Sequence, residues 1–364
     1  MRLSAAVAMA TLASGTAMAG SLDRSNQDIG VLFEEGTHAR LSFGYIRPDL
    51  QGTDVAGIGT GDVADNYFTG SLGYRQQLSD ALSFALIIDQ PYGADISYPA
   101  SSPVLGNTAA TLNTSSIAAY LRYEFGNGFS VHGGVRSQKL DANVTLAGAA
   151  YGGLNGYNVD LDGDSAFGYQ AGVAYERPEI ALRVALTYHS EIDHDLDTVE
   201  NIAPGARTNT DLTTPEALNL DFQTGVAEGT LVFGSVRFAR YSDVVLSPNT
   251  FGLATGGASL VDIDDALDIR IGVARRITER FAGLASVAWS RSGDDDTVSP
   301  LAPSNGSLGL TLGGVFDVTD AVRLTGGINY TEVRDARPET GGVARASFDG
   351  NHAVGVGVQL GYTF

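Results

Sequence analysis

Apolar and polar residues alternate along much of this chain, and that alternation predicts its architecture. At the C-terminus Val354, Val356, Val358, Leu360, Tyr362 and Phe364 fall on one face of a strand. Gly355, Gly357, Gln359, Gly361 and Thr363 fall on the other. A period of two is the pleat of a β-strand. An apolar face opposite a small or polar one suits lipid outside and a lumen inside. The pattern recurs at 115–125, 180–190 and 267–277, where Arg122, Arg183 and Arg270 stand on the polar face. An arginine on the lipid face near the midplane costs about 2–4 kcal/mol, so these belong in the lumen.

The segments that alternate are 39–46, 66–76, 82–90, 114–125, 129–146, 165–177, 180–190, 216–227, 230–241, 267–277, 281–292, 307–316, 322–333 and 352–364. Short turns (77–81, 126–128, 178–179, 228–229, 278–280, 317–321) alternate strictly with long connections (47–65, 91–113, 147–164, 191–215, 242–266, 293–306, 334–351). The predicted fold is an all-β transmembrane antiparallel barrel of about fourteen strands, short turns in the periplasm and long loops outside. A soluble β-sandwich or propeller would also alternate, with its apolar face inward. The chain termini favour the barrel. Arg2, the apolar run 3–11 and Ala17-Met18-Ala19 read as a signal peptide, and its apolar run is too short to span a bilayer as a helix. Phe364 is the terminal aromatic that barrel assembly machinery reads. The expected divisions are a signal peptide (1–19), a short N-terminal plug or periplasmic segment (20–38) and a barrel (39–364).

Composition narrows the function. Mean hydropathy is +0.02 and no apolar run reaches the length of a membrane helix, which excludes a helical membrane protein and leaves a barrel open. With no cysteine there is no disulfide framework, zinc–thiolate site or thiol nucleophile. A net charge of −20 excludes a nucleic-acid binder. The long connections are rich in Asp and Glu; they sit among lipopolysaccharide and its bridging divalent cations, or are simply solvated.

Candidate chemistry is sparse. No Gly-x-Ser-x-Gly elbow exists, and Ser71 and Ser307 sit in motifs that match no nucleophile. His189 and His194, with Glu191, Asp193 and Asp195, are metal candidates whose spacing fits no known site, and a solvated loop is the competing reading. Asp160 to Asp164 resembles a piece of a calcium loop, but Ala171 stands where the closing Glu belongs. The lumen candidates are Arg122, Arg183, Arg237 and Arg270. They hold a substrate carboxylate through paired N–H donors, or pair with Glu124, Glu176 and Asp268 to stiffen the interior. Neither a cofactor nor an enzymatic activity is expected.

Short stretches resemble one family. Leu-Ser-Phe-Ala-Leu-Ile-Ile-Asp-Gln-Pro-Tyr-Gly (82–93), followed by Tyr98, resembles the third-strand signature of the FadL/TodX transporters, an aliphatic strand running into a Pro-Phe-Gly-like turn. Residues 185–196, with Tyr188-His189-Ser190, resemble that family's Tyr-Arg-Ser step before an acidic loop. Residues 41–53 resemble its first strand and 215–243 its eighth and ninth. The resemblance implies passive uptake of long-chain fatty acids or other hydrophobic compounds. The substrate would enter a lumen pocket and leave sideways where the third strand kinks, at Pro91, Tyr92, Gly93 and Tyr98. An N-terminal plug would close the lumen. Here Leu32-Phe33-Glu34-Glu35-Gly36 stands where the family's Asn-Pro-Ala step belongs, and the plug is short, with Leu22, Ile29, Val31, Leu32 and Phe33 as apolar contacts. The expected partners are a hydrophobic small molecule, outer-membrane lipid and lipopolysaccharide, and the assembly machinery through Phe364. The alternative is a general diffusion porin. A barrel enzyme and a structural or adhesive barrel are the remaining readings.

Overall fold

The computed structural model describes residues 22–293 and 295–364; the expected signal peptide and cleavage site, at 1–19, lie outside them. Fourteen staves form one closed antiparallel barrel. They are β1 (His38–Asp49), β2 (Tyr67–Gln77), β3 (Leu82–Asp89, resuming as Gly93–Ser97), β4 (Ala109–Glu124), β5 (Phe129–Leu146), β6 (Tyr157–Arg177) and β7 (Leu182–His189, resuming as Ile192–Glu200). They continue as β8 (Thr208–Thr214, resuming as Ala217–Ala227), β9 (Thr230–Ala239), β10 (Ala266–Arg276), β11 (Phe281–Ser290), β12 (Ser307–Asp317), β13 (Val322–Val333) and β14 (Asn351–Thr363). The sheet holds seventeen strand segments, and the three interrupted staves account for the difference. β1 pairs with β2 on one side and with β14 on the other, from His38 opposite Thr363 to Asp49 opposite His352. Closure pairs the first strand with the last, so no stave stands at the end of an open sheet, as a backbone in lipid requires.

The pleat sorts the side chains as the alternation predicts. Val354, Val356, Val358, Leu360 and Tyr362 are exposed on the outside, whereas Gly355 and Gln359 turn inward. Aromatic residues gather at two levels of the outer wall. Tyr123, Phe125, Phe129, Phe281, Phe316 and Tyr362 lie near the short turns; Phe68, Phe167, Tyr169, Trp289 and Tyr330 lie toward the long connections. Such girdles mark the two lipid–water boundaries.

The barrel is taller on one side than the alternating apolar segments suggest. β4 begins at Ala109, β6 at Tyr157 and β8 at Thr208, and β7 runs on to Glu200. Much of the expected loops 147–164 and 191–215 is therefore sheet. These extensions still alternate, but with acid where the membrane zone has apolar side chains. Asp160 and Asp162 face outward in alternation with the buried Val159 and Leu161; Asp193, Asp195 and Asp197 alternate likewise with Ile192, His194 and Leu196. Asp162 stands opposite Asp197, and Asp195 opposite Asp211. A face of opposed carboxylates is tolerable only in water, so this wall rises above the lipid.

Above the membrane the long connections pack on one another. Two small three-stranded sheets and a helix, α1 (Asn249–Thr255), lie there. Glu200 anchors the helix. Its carboxylate accepts the N–H of Thr250 and of Phe251, both at 2.7 Å, and the Tyr157 hydroxyl at 3.0 Å. Burial pushes the Glu200 carboxyl up, but the Thr250 and Phe251 donors outweigh it and hold it below the usual carboxylate value.

Candidate functional site

The site assembles around the break in β3. Pro91 has no N–H to give to a ladder, and the pairing of β3 with β4 gains one residue here. Asp89 lies opposite Ser116, whereas Gly93 lies opposite Asn113. The Thr114 hydroxyl repairs the break: it accepts the Tyr92 N–H at 2.8 Å and donates to the Tyr92 carbonyl at 2.6 Å. On the other side of β3 the ladder with β2 stops at Leu72 opposite Ile88. Contact resumes only at Ala64 opposite Ile96. Tyr67 to Ser71 of β2 thus face no strand on that side, and the Gly70 N–H reaches across the interval to the Gln90 amide oxygen at 3.3 Å. The barrel wall has an opening at this point.

The N-terminal segment reaches this opening from inside the barrel. Asp23 pairs with Tyr92 on the free edge of β3. The Arg24 N–H donates to the Pro91 carbonyl at 2.8 Å, and the Gly93 N–H to the Leu22 carbonyl at 2.9 Å. Asp23 and Arg237 form a buried two-bond ion pair at 2.7 and 3.2 Å. Arg237 also donates to Asn219 at 2.9 Å and Gln27 at 3.3 Å. The Ser25 hydroxyl donates to Asp89 at 2.6 Å, and Arg40 to Asp28 at 2.6 Å. Farther down, Ile29, Val31 and Leu32 bury themselves against Ala85, Ile87, Ala118 and Tyr120. Phe33 ends the segment between the Arg122 and Arg183 guanidiniums, 4.7 Å from each, with His132 edge-on to it at 5.9 Å.

Two cavities flank the segment where it meets β3. The outer one, about 80 Å³, is lined by apolar side chains including Leu22, Tyr92, Leu112, Leu140, Tyr241 and Ile263, with no charged residue. The inner one, about 90 Å³, reaches the opening and is mixed in character, with Arg24, Asp89, Gln90, Asp221 and Arg270 in its wall. Above both, the outer loops enclose a basin of about 700 Å³ that bears Asp262, Asp264, Asp265, Asp295 and Glu339. A second unpaired stretch occurs between β6 and β7, where the ladder skips from Gln170–His189 to Asp162–Asp197. It is filled by its own side chains. The Ser190 hydroxyl accepts the Tyr169 N–H at 2.9 Å, and Ile192 occupies the space a Cβ on Gly168 would need. Neither cavity touches this stretch.

The candidate residues divide on these coordinates. Pro91, Tyr92 and Gly93 form the break. Tyr98 does not join them; it is buried in the outer loops beside Phe348, ring centroids 6.3 Å apart. Leu22, Ile29, Leu32 and Phe33 all pack within the lumen. Arg122 is paired with Glu124 and Glu176, Arg183 stacks on Phe33, and Arg237 holds Asp23. Arg270 lines the inner cavity. His189 and His194 point inward while Asp193 and Asp195 point outward, so they do not converge; among the described residues no cluster is suited to hold a metal. Asp23, Arg24 and Gln27 carry no sequence motif, and Asp89 lies in the third-strand stretch, where the pattern does not single it out. The lone clue to the first three is a charged pair, Asp23-Arg24, directly after the apolar Leu22.

A closed fourteen-stave barrel with lipid-facing aromatic girdles and a chain segment in its lumen is an outer-membrane channel protein. The family described as outer membrane protein transport protein (OMPP1/FadL/TodX) matches residues 10–364, and the chain belongs to it. It is a family of transport channels for hydrophobic compounds rather than of enzymes. Among solved structures the chain is similar in fold to a Pseudomonas aeruginosa FadL homologue, with a TM-score of 0.73, 16% identity and 97% of each chain covered. It is also similar to the Pseudomonas putida toluene transporter TodX (0.65, 14%, 97% of each) and to the Ralstonia pickettii toluene transporter TbuX (0.62, 13%, 92% and 91%). No curated protein sequence matches it.

Proposed function

We propose that this channel carries hydrophobic molecules passively from the outer loops into the apolar outer cavity, past Leu22 and Tyr92, and out through the wall opening between β2 and β3 into lipid. The observation that carries the reading is the coincidence of three features at Pro91–Gly93: an interrupted ladder, an apolar cavity and the end of the N-terminal segment. A hydrophobic molecule gains about 25 cal/mol for each Å² of apolar surface kept from water, so release into lipid avoids the cost of an aqueous lumen. The outer cavity has no basic side chain to neutralise a carboxylate. At about 80 Å³ it holds only part of a neutral hydrocarbon or of a long-chain fatty-acid tail until it widens, with any carboxylate left outside. Residues 22–36 act as a short plug, which argues against a general diffusion porin. Pro91, Tyr92 and Gly93 form the exit; Arg122, Arg183 and Arg237 position the plug.

The test is uptake of a labelled hydrocarbon and of a labelled long-chain fatty acid by cells carrying the protein or its Ala142→Trp variant, which fills the outer cavity. Uptake that needs the protein and falls at least tenfold in the variant supports the reading. Uptake indifferent to both, with a large steady ionic conductance in planar bilayers, replaces it with the porin.

A further inference from the structure

We infer that Arg24 is the latch that closes the opening between β2 and β3, and that Gly93 is the recess which admits it. The inference rests on the lateral exit proposed above.

The register locates the latch. Continuing the β2–β3 ladder from Leu72 opposite Ile88 by one residue at a time would set Tyr67 opposite Gly93, and the same register is met again at Ala64 opposite Ile96. Tyr67 and Gly93 are therefore two banks of one gap in an otherwise continuous pairing. Arg24 lies between them. Its guanidinium carbon is 3.4 Å from the Tyr67 ring centroid, and its Nη2 donates to Asp95 Oδ2 at 2.7 Å. One side chain thus grips β2 through an aromatic face and β3 through a carboxylate. The planar guanidinium suits this, because it stacks on the ring face while its N–H groups donate in its own plane, whereas the ammonium of lysine offers no planar face to stack.

Gly93 has a reason to lack a side chain. Its φ is not among the positive ones, so conformation does not require glycine. Space does. A Cβ at Gly93 would stand 2.7 Å from Arg24 Nε and 3.1 Å from its guanidinium carbon. The far end of a flexible side chain would give way, and Arg24 would leave its seat. It has somewhere to go, since Arg24 also lines the inner cavity, whose wall carries the carboxylates of Asp89 and Asp221. The latch opens by exchanging Asp95 and Tyr67 for those acids, which clears a charged group from the path of an apolar molecule.

The absence of native cysteine allows a clean test. Ala94→Cys places a single thiol on the wall of the outer cavity. The probe is a phospholipid with a maleimide at the end of one acyl chain, which reaches that thiol from the bilayer through the wall. In liposomes we expect slow labelling of Ala94→Cys alone. With Arg24→Ala or Gly93→Ala added, labelling should be at least tenfold faster, and with Arg24→Lys intermediate. Gly93→Ala leaves Arg24 itself in the chain, so it answers the question even if Arg24→Ala folds poorly. Hydrogen exchange at the Arg24 and Gly93 amides is the control. Both should stay protected, because their backbone bonds do not involve the latch. Equal labelling rates would overturn the latch, and so would faster labelling with loss of protection at those amides, which would mean that the whole segment had undocked. Faster labelling with unchanged hydrocarbon uptake would keep the latch and remove the exit route.

Discussion

Asp23→Asn tests whether a single buried ion pair holds the upper part of the N-terminal segment. The substitution keeps the shape of the side chain and removes its charge. Asp23 and Arg237 are each 4% exposed. Their two bonds tie the segment to the far wall; without them Arg237 keeps its hydrogen bonds to the neutral Asn219 and Gln27 and has Asp268 opposite it in the ladder. Removing one partner of a buried pair costs about 3–5 kcal/mol, because the remaining charge loses its hydrogen-bonded counter-ion. At 1.36 kcal/mol per decade that is roughly a hundredfold to a few thousandfold in the docking equilibrium. The loss is local. Val31 and Leu32 are fully buried lower in the lumen, and each such side chain stabilises by about 1.5–3 kcal/mol, so the lower half stays docked. Hydrogen exchange should rise by two orders of magnitude or more at the amides of Arg24 and Gly93, whose acceptors are Pro91 and Leu22. It should change little at Leu32, which donates to Ile29, or in β14. Adding Arg237→Met to Asp23→Asn should restore most of the protection, since replacing both partners of a buried pair is often neutral. A change below threefold at Arg24 and Gly93, or an equal rise at Leu32, would refute the argument.

Phe33→Ala should open the periplasmic end. It removes the ring shared by Arg122 and Arg183, two cation–π contacts of about 0.5–2 kcal/mol each, and single-channel recordings should show larger or more frequent openings than the parent. Glu200→Gln should loosen the helix α1 by about 1–3 kcal/mol, because a charged acceptor of two N–H groups and a hydroxyl becomes a weaker neutral one; proteolysis within 241–265 reads this out. Acid should act alike. The Glu200 carboxyl is held below its ordinary 4.5, so its contribution is fully present above that value and fades as pH falls through the lowered one. A proteolysis rate flat between pH 6 and pH 3 would contradict it.

Strand number, pleat and orientation were legible in the sequence because they are local. Which face of Val354–Tyr362 meets lipid follows from alternation alone, and an arginine such as Arg122 cannot sit on that face without a cost of several kcal/mol. The break at Pro91 was legible too, since a residue without an N–H interrupts a ladder wherever it stands. Local pattern failed where the solvent changed. Along β6 and β7 the strands continue above the membrane with aspartates on the outer face, so a search for apolar alternation ended them too early. The remaining features depended on closure. Asp23 meets Arg237 across 214 residues, Arg24 meets Tyr67 and Asp95, and Tyr98, near the break in sequence, ends in the outer loops. Each of these pairings is set by the diameter of the barrel and by the path the N-terminal segment takes through it. Period and propensity along the chain carry no information about either. The sequence by itself determined a channel wall, and the tertiary structure alone decided where that wall is open and which side chains fill the opening.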